Sequence, residues 1–128
     1  MSINFCTLDI FDREFQKLAK KYPSLENDFE DFQRFLENEP TGLGIGDIER
    51  IDQLGVEILL PVYKVRKFRC KSLAKNSTQS GIRIIYVYDA TSATIEFIEF
   101  VEIYHKWTKD IENRSRIIEM YSWRKSLR

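Results

Sequence analysis

Apolar positions in the first forty residues recur with the period of an α-helix. One stripe consists of Phe11, Phe15, Leu18 and Ala19, and the next consists of Leu25, Phe29, Phe32 and Leu36. Spacings of three and four residues place each stripe on one side of a helix. We therefore expect an antiparallel pair of amphipathic helices in this part of the chain.

Polar residues and proline predict where these two helices begin and end. Asp9 or Asp12 is expected to cap a first helix that starts near Phe11. Pro23 disfavours the helical conformation at Tyr22, so the first helix ends there. Ser24 is then the predicted cap of the second helix.

From Val56 onward the pattern changes to the alternation of β-strands. We expect strands over Val56 to Arg69, broken by Pro61, over Ile82 to Tyr88 and over Thr94 to Tyr104. Short polar links between them predict an antiparallel meander.

The remaining segments complete the predicted α+β domain, which spans residues 1–128. Ser2 to Leu8 is expected to form a short first strand, Thr41 to Asp47 a glycine-rich connector, and Thr108 to Leu127 a closing helix. The fold class is therefore two N-terminal helices packed on an antiparallel β-sheet, with a C-terminal helix.

Composition predicts a soluble globular chain, and the cysteine usage predicts a reducing, cytoplasmic setting. It has 128 residues, 43% of them hydrophobic and 31% charged, and no apolar run near the roughly 20 residues that a membrane helix needs. Cys6 and Cys70 stand far apart in the sequence, so neither a disulfide framework nor a zinc site is predicted. We expect no metal, no cofactor and no membrane association.

Charge is distributed very unevenly although the formal net charge is zero. Residues 1–60 contain 13 acidic and six basic residues, whereas residues 61–128 contain 14 basic and seven acidic ones. This segregation predicts one local basic patch on a chain that does not bind every polyanion.

The basic residues concentrate in a predicted strand. Between Val62 and Lys71 the cations are Lys64, Arg66, Lys67, Arg69 and Lys71, and no acid lies among them. Lys64 and Arg66 are two residues apart and share a face in a strand. Arg83 is the one cation inside the apolar run Gly81 to Tyr88, where burial of an unpaired charge is unfavourable, so we expect it to hold an anion.

These residues suit metal-independent cleavage of RNA, in which the 2′-hydroxyl attacks the adjacent phosphate. That reaction needs a base, an acid and positive charge on the phosphorane. Arg83 is the predicted phosphate clamp, Arg66 stabilises charge, and Lys64 or His105 is the candidate base. Tyr104 and Lys106 flank His105 and complete the candidate catalytic set, whose individual roles stay open. Predicted RNA contacts are Lys67, Arg69, Lys71 and Lys75, with Tyr63 and Tyr86 as stacking partners for bases.

Each of these residues also has a structural interpretation. The cations between Lys64 and Lys71 are also compatible with an exposed face that binds nothing or with a strand edge that discourages aggregation. His105 is also compatible with an ordinary surface residue. Tyrosines such as Tyr63 and Tyr86 are common in cores. Arg83 is also explained by a buried ion pair with Glu96 or Glu102.

The order of four short motifs resembles the RelE/ParE superfamily of bacterial toxins. They are K-L-A-K-K-Y-P-S-L from Lys17, Y-K-V-R from Tyr63, G-I-R-I-I-Y from Gly81 and I-Y-H-K from Ile103. The resemblance covers nearly the whole chain, from about Phe11 to Tyr121.

The resemblance implies a RelE-like mRNA interferase that cuts message, in many members at the ribosome, and forms a hetero-oligomer with a cognate antitoxin protein. By position, Lys64 and Arg66 match the family's basic pair, Arg83 its phosphate-binding arginine, and Tyr104 to Lys106 its late catalytic side chains. Where some members have an arginine and a tyrosine further on, this chain has Lys106 and Trp107. The alternative is a ParE-like toxin or binding module that inhibits a protein such as DNA gyrase.

Overall fold

The computed structural model describes residues 2–42, 48–65, 68, 82–102 and 113–127. Within these ranges the elements are β1 (Asn4–Thr7), α1 (Asp9–Lys21), α2 (Leu25–Asn38), β2 (Ile48–Arg50), β3 (Val62–Val65), β4 (Ile82–Asp89), β5 (Thr94–Glu102) and α3 (Arg114–Tyr121). The predicted α+β class is confirmed.

Both N-terminal helices are present, with ends that differ slightly from the prediction. Helix α1 begins at Asp9 with Leu8 as its N-cap, and neither predicted aspartate caps it through its side chain. Asp9 and Asp12 lie instead in the first turn, where negative charge interacts favourably with the helix dipole. Ser24 is the N-cap of α2, but its hydroxyl donates to the Asp28 carboxylate at 2.8 Å.

The described strands form one five-stranded sheet in the order β1-β5-β4-β3-β2. The meander of β3, β4 and β5 is antiparallel as predicted. The predicted first strand is found as β1, which lies parallel to β5 and makes the sheet mixed. Strand β2, which was not predicted, directly follows the expected connector and pairs antiparallel with β3. Its three residues are too few to produce a recognisable alternation.

Two predicted elements are shorter than the sequence suggested. The run from Val56 to Pro61 lies outside the sheet, apart from a single bridge between Ile58 and Ser122. Helix α3 ends at Tyr121 instead of continuing to Leu127, because Trp123 takes a left-handed conformation with φ of 60°. The Trp123 side chain is 67% exposed.

The two faces of the sheet carry separate cores. One face, here called the helical face, packs against α1 and α2 through an aromatic cluster in which Phe29 lies 5.5 Å from Phe11 and 5.0 Å from Phe97 between ring centroids. The other face, here called the C-terminal face, packs its apolar side chains against Ile117 and Tyr121 of α3.

A β-bulge in β5 sets which side chains reach each face. The register runs from Ile85 opposite Glu99 directly to Tyr86 opposite Phe97, which leaves Ile98 as the extra residue. Because of this shift, Glu96 and Glu99 lie on the same face although they are three residues apart. That face is the C-terminal one, shared with Ile85 and Val87.

Asp89 fastens the end of the described chain to the turn between β4 and β5. One of its oxygens accepts from the Ser126 hydroxyl and the Leu127 amide, each at 3.0 Å, and from the Ser92 hydroxyl at 2.7 Å. Burial alone raises the pKa of Asp89, but these hydrogen bonds prevail and lower the pKa from 3.8 to about 2. The ionised carboxylate therefore stabilises the fold.

We predict that Asp89→Asn removes an acid-sensitive part of the stability. The shift corresponds to about 2 kcal/mol, which is fully present above pH 4 and is lost as the pH falls through about 2. Urea denaturation at pH 7 should show a loss of about that size, and the difference between variant and parent should shrink below pH 4. The exposed Asp52→Asn is the matched control, and equal pH dependence of Asp89→Asn and the parent would contradict the prediction.

Candidate functional site

The strand register brings Lys64 and Arg83 to the same face of the sheet. Lys64 of β3 lies opposite Ile85 of β4, and Arg83 lies two residues before Ile85 on that strand. The two cations are therefore diagonal neighbours, about 7 to 8 Å apart between Cα atoms. Both project from the C-terminal face, and each is only 5% exposed.

Two carboxylates share this face with the cations. Glu99 of β5 lies opposite Ile85, on the other side from Lys64, and Glu49 of β2 lies opposite Lys64. We call Glu49, Lys64, Arg83 and Glu99 the charged row. Within the described residues the row holds as many carboxylates as cations. The other cations of the predicted basic patch, Arg66, Lys67, Arg69 and Lys71, lie outside the described residues. Glu49 was not among the predicted site residues because β2 was not predicted.

Arg83 is tied to one of these carboxylates. Its Nη2 donates to Glu99 Oε1 at 2.6 Å, and both side chains are buried. The structural interpretation of Arg83 as half of an ion pair thus holds, but its predicted partner was wrong. Strict alternation along β5 would place Glu96 and Glu102 on one face and Glu99 on the other. The bulge at Ile98 instead places Glu99 on the same face as Arg83.

The two tyrosines predicted to stack on bases do not belong to this site. Tyr63 and Tyr86 lie on the helical face, with ring centroids 5.3 Å apart, and both are buried. The Tyr86 hydroxyl donates to the carbonyl oxygen of Pro40 at 2.9 Å, and burial raises its pKa. They are core residues because the pleat of their strands turns them away from Lys64 and Arg83.

The other eight predicted site residues all lie outside the described ranges. These are Arg66, Lys67, Arg69, Lys71, Lys75, Tyr104, His105 and Lys106. Of the predicted catalytic set, Lys64 and Arg83 are the two whose positions the structure gives.

A second polar cluster occupies the opposite end of the C-terminal face. Glu96 accepts hydrogen bonds from the Tyr121 hydroxyl and, at 3.6 Å, from the Cys6 thiol, and Arg124 Nη1 lies 3.6 Å from the same carboxylate. Burial and the negative charge of Glu96 raise the pKa of Cys6 to about 11. The thiol therefore stays protonated at neutral pH and is a poor nucleophile. This cluster joins β1, β5 and α3 without supplying reactive chemistry.

The described ranges contain no group of three side chains suited to holding a metal ion. Nor does any helix in these ranges have the length and apolar character required to cross a bilayer.

No family model matches this sequence, and no curated protein matches it. A solved structure does: the crystal structure of an archaeal RelE-RelB complex from Pyrococcus horikoshii OT3 aligns with a TM-score of 0.54 and 17% identity. The alignment covers 80% of this chain and 96% of that one. The chain has a RelE-like fold. In that fold the charged row lies on the side of the sheet away from α1 and α2.

The Arg83–Glu99 pair should behave as a coupled unit in stability measurements. Arg83→Met leaves a buried carboxylate without its guanidinium, so we predict a loss of about 3 to 5 kcal/mol in the free energy of unfolding. The double variant Arg83→Met/Glu99→Leu should recover much of this loss because no lone charge is left behind. Urea unfolding of the two single variants and the double variant measures the coupling. Strictly additive effects would mean that the pair contributes nothing as a pair.

Proposed function

We propose that this chain is the toxin of a toxin-antitoxin pair and cleaves messenger RNA as a metal-independent endoribonuclease. The observation that carries the proposal is the diagonal placement of Lys64 and Arg83 on one face of a RelE-like sheet. Two fixed cations at this separation are suited to a backbone phosphodiester, since each can bind a different phosphate oxygen.

The proposed reaction is attack of the 2′-hydroxyl on the adjacent phosphorus, which releases the 5′-oxygen and leaves a 2′,3′-cyclic phosphate. Arg83 grips the phosphate oxygens, since a guanidinium offers paired donors and keeps its charge. Lys64 or His105 accepts the 2′-hydroxyl proton. His105, Tyr104 or Lys106 protonates the leaving oxygen, and Arg66 stabilises the phosphorane.

Two further parts of the proposal concern the molecules that this chain meets. Lys67, Arg69, Lys71 and Lys75 would hold the RNA backbone on either side of the cleaved bond, on the ribosome or free in the cytoplasm. A cognate antitoxin would bind the chain as a hetero-oligomer and block this surface, in line with the solved RelE-RelB complex.

A specific observation favours a second candidate, a ParE-like toxin or binding module that inhibits a protein such as DNA gyrase. Lys64 and Arg83 are each 5% exposed, and both lie in a row that also holds two carboxylates. A surface that is electrically balanced is less suited to RNA than the sequence suggested, and a toxin that binds a protein needs no phosphate clamp.

The test compares Lys64→Met with Lys125→Met, which removes an exposed cation outside the charged row. Purified chains are incubated with message in a translation extract and with free RNA in EDTA, and the new ends are analysed for cyclic phosphate. We predict that Lys64→Met lowers the cleavage rate by about 100-fold or more, whereas Lys125→Met changes it little.

Equal cleavage rates for the two variants would show that Lys64 takes no part in the reaction. If the parent chain cleaves no RNA but inhibits supercoiling by gyrase, the second candidate is correct.

A further inference from the structure

The Arg83–Glu99 contact places a carboxylate where the proposed phosphate would bind. The pair is short, at 2.6 Å, and both side chains are more than nine-tenths buried. A guanidinium binds carboxylates and phosphates with the same paired donors and similar geometry. Glu99 therefore presents to Arg83 the kind of group that a phosphodiester would present.

Fold stability alone does not account for an ion pair in this position. The desolvation of two buried charges offsets most of their attraction, and apolar pairs of similar volume are commonly as stable or more so. The surrounding strands are built from such apolar residues, including Ile85 directly between Lys64 and Glu99. Two apolar side chains in place of Arg83 and Glu99 would therefore also have packed well on this face.

We propose that Glu99 is an internal competitor for the anion site at Arg83, so that a phosphodiester binds only by displacing the Glu99 carboxylate from the guanidinium. The identity of the natural anion rests on the proposed function, but the competition itself does not. In the absence of ligand the Glu99 carboxylate binds Arg83, and ligand binding replaces this carboxylate with a phosphate group.

The charged row offers the displaced carboxylate a second cation. Lys64 of β3 and Glu99 of β5 lie on either side of Ile85 on the same face, about 10 Å apart between Cα atoms. Both side chains are long enough to approach each other over Ile85. Displacement of Glu99 from Arg83 therefore need not leave a buried charge far from any counter-ion.

Competition of this kind lowers affinity by a calculable factor. If Arg83 is available in one molecule out of ten, the apparent dissociation constant for an anion is ten times the intrinsic one. A lone phosphate then binds weakly, whereas an RNA segment that makes additional contacts can still displace Glu99. This competition would favour an extended, correctly positioned RNA strand over free phosphate and other polyanions.

The experiment measures anion binding, not cleavage. Inorganic phosphate and a 2′-O-methyl oligoribonucleotide, which cannot undergo 2′-hydroxyl attack, are titrated by calorimetry into the parent chain and Glu99→Gln. We expect Glu99→Gln to bind inorganic phosphate at least tenfold more tightly than the parent. The gain for the oligonucleotide should be similar if its backbone uses the same site. Arg83→Met in the Glu99→Gln background should abolish both gains.

The matched control is Glu96→Gln, which removes a buried carboxylate from the same strand and face while leaving Arg83 and Glu99 in place. Its phosphate affinity should equal that of the parent. If Glu99→Gln fails to fold, Glu99→Asp keeps the charge but shortens the side chain by one methylene, and we expect it to bind phosphate more tightly than the parent.

Phosphate binding by the folded Glu99 variants that is no tighter than in the parent would overturn the inference. That outcome combined with RNA cleavage by the parent leaves the proposed function intact. Tighter phosphate binding by Glu99→Gln in a chain that cleaves no RNA supports the inference and rejects the ribonuclease.

Discussion

One extra residue in β5 determines how this sheet distributes its charges. Without the bulge at Ile98, the side chains that follow it would exchange faces, since neighbouring residues in a strand point to opposite sides. Phe100 would leave the aromatic cluster under α1 and α2, and Glu99 would enter it. The bulge keeps Phe97 and Phe100 on the helical face and turns both Glu96 and Glu99 to the other. Packing and electrostatics therefore depend on the same irregularity.

The two carboxylates that the bulge aligns serve opposite ends of the C-terminal face. Glu96 accepts from Tyr121 and lies beside Arg124, so it anchors α3 and the segment that follows it. Glu99 lies farther along β5 and binds Arg83 on the neighbouring strand. The apolar side chains of Ile85, Val87 and Ile98 lie on this face with them. The end of this face around Glu96 thus stabilises the fold, whereas the other end contains the candidate functional residues.

The sequence predicted the parts of this structure that depend on local periodicity. The apolar stripes of α1 and α2 and the apolar run of β4 are long enough to be recognised, and the meander followed from them. Strand β2 was missed because its three residues show no pattern of their own and are ordered by pairing with β3. The partner of Arg83 was missed because an extra residue in a strand is set by packing of both faces at once, which alternation along a single strand does not reveal.

The proposed competition at Arg83 would let a charged row with balanced charge discriminate between ligands. An open cluster of cations attracts any polyanion, with an affinity that depends mainly on the number of phosphates and on salt. A guanidinium already held by a carboxylate responds only to a ligand that replaces this contact and adds others. Under the proposed exchange, the five further cations between residues 66 and 81 would supply such additional contacts. The replacement of Glu99 at Arg83 would then determine selectivity, and the cations between residues 66 and 81 would determine affinity.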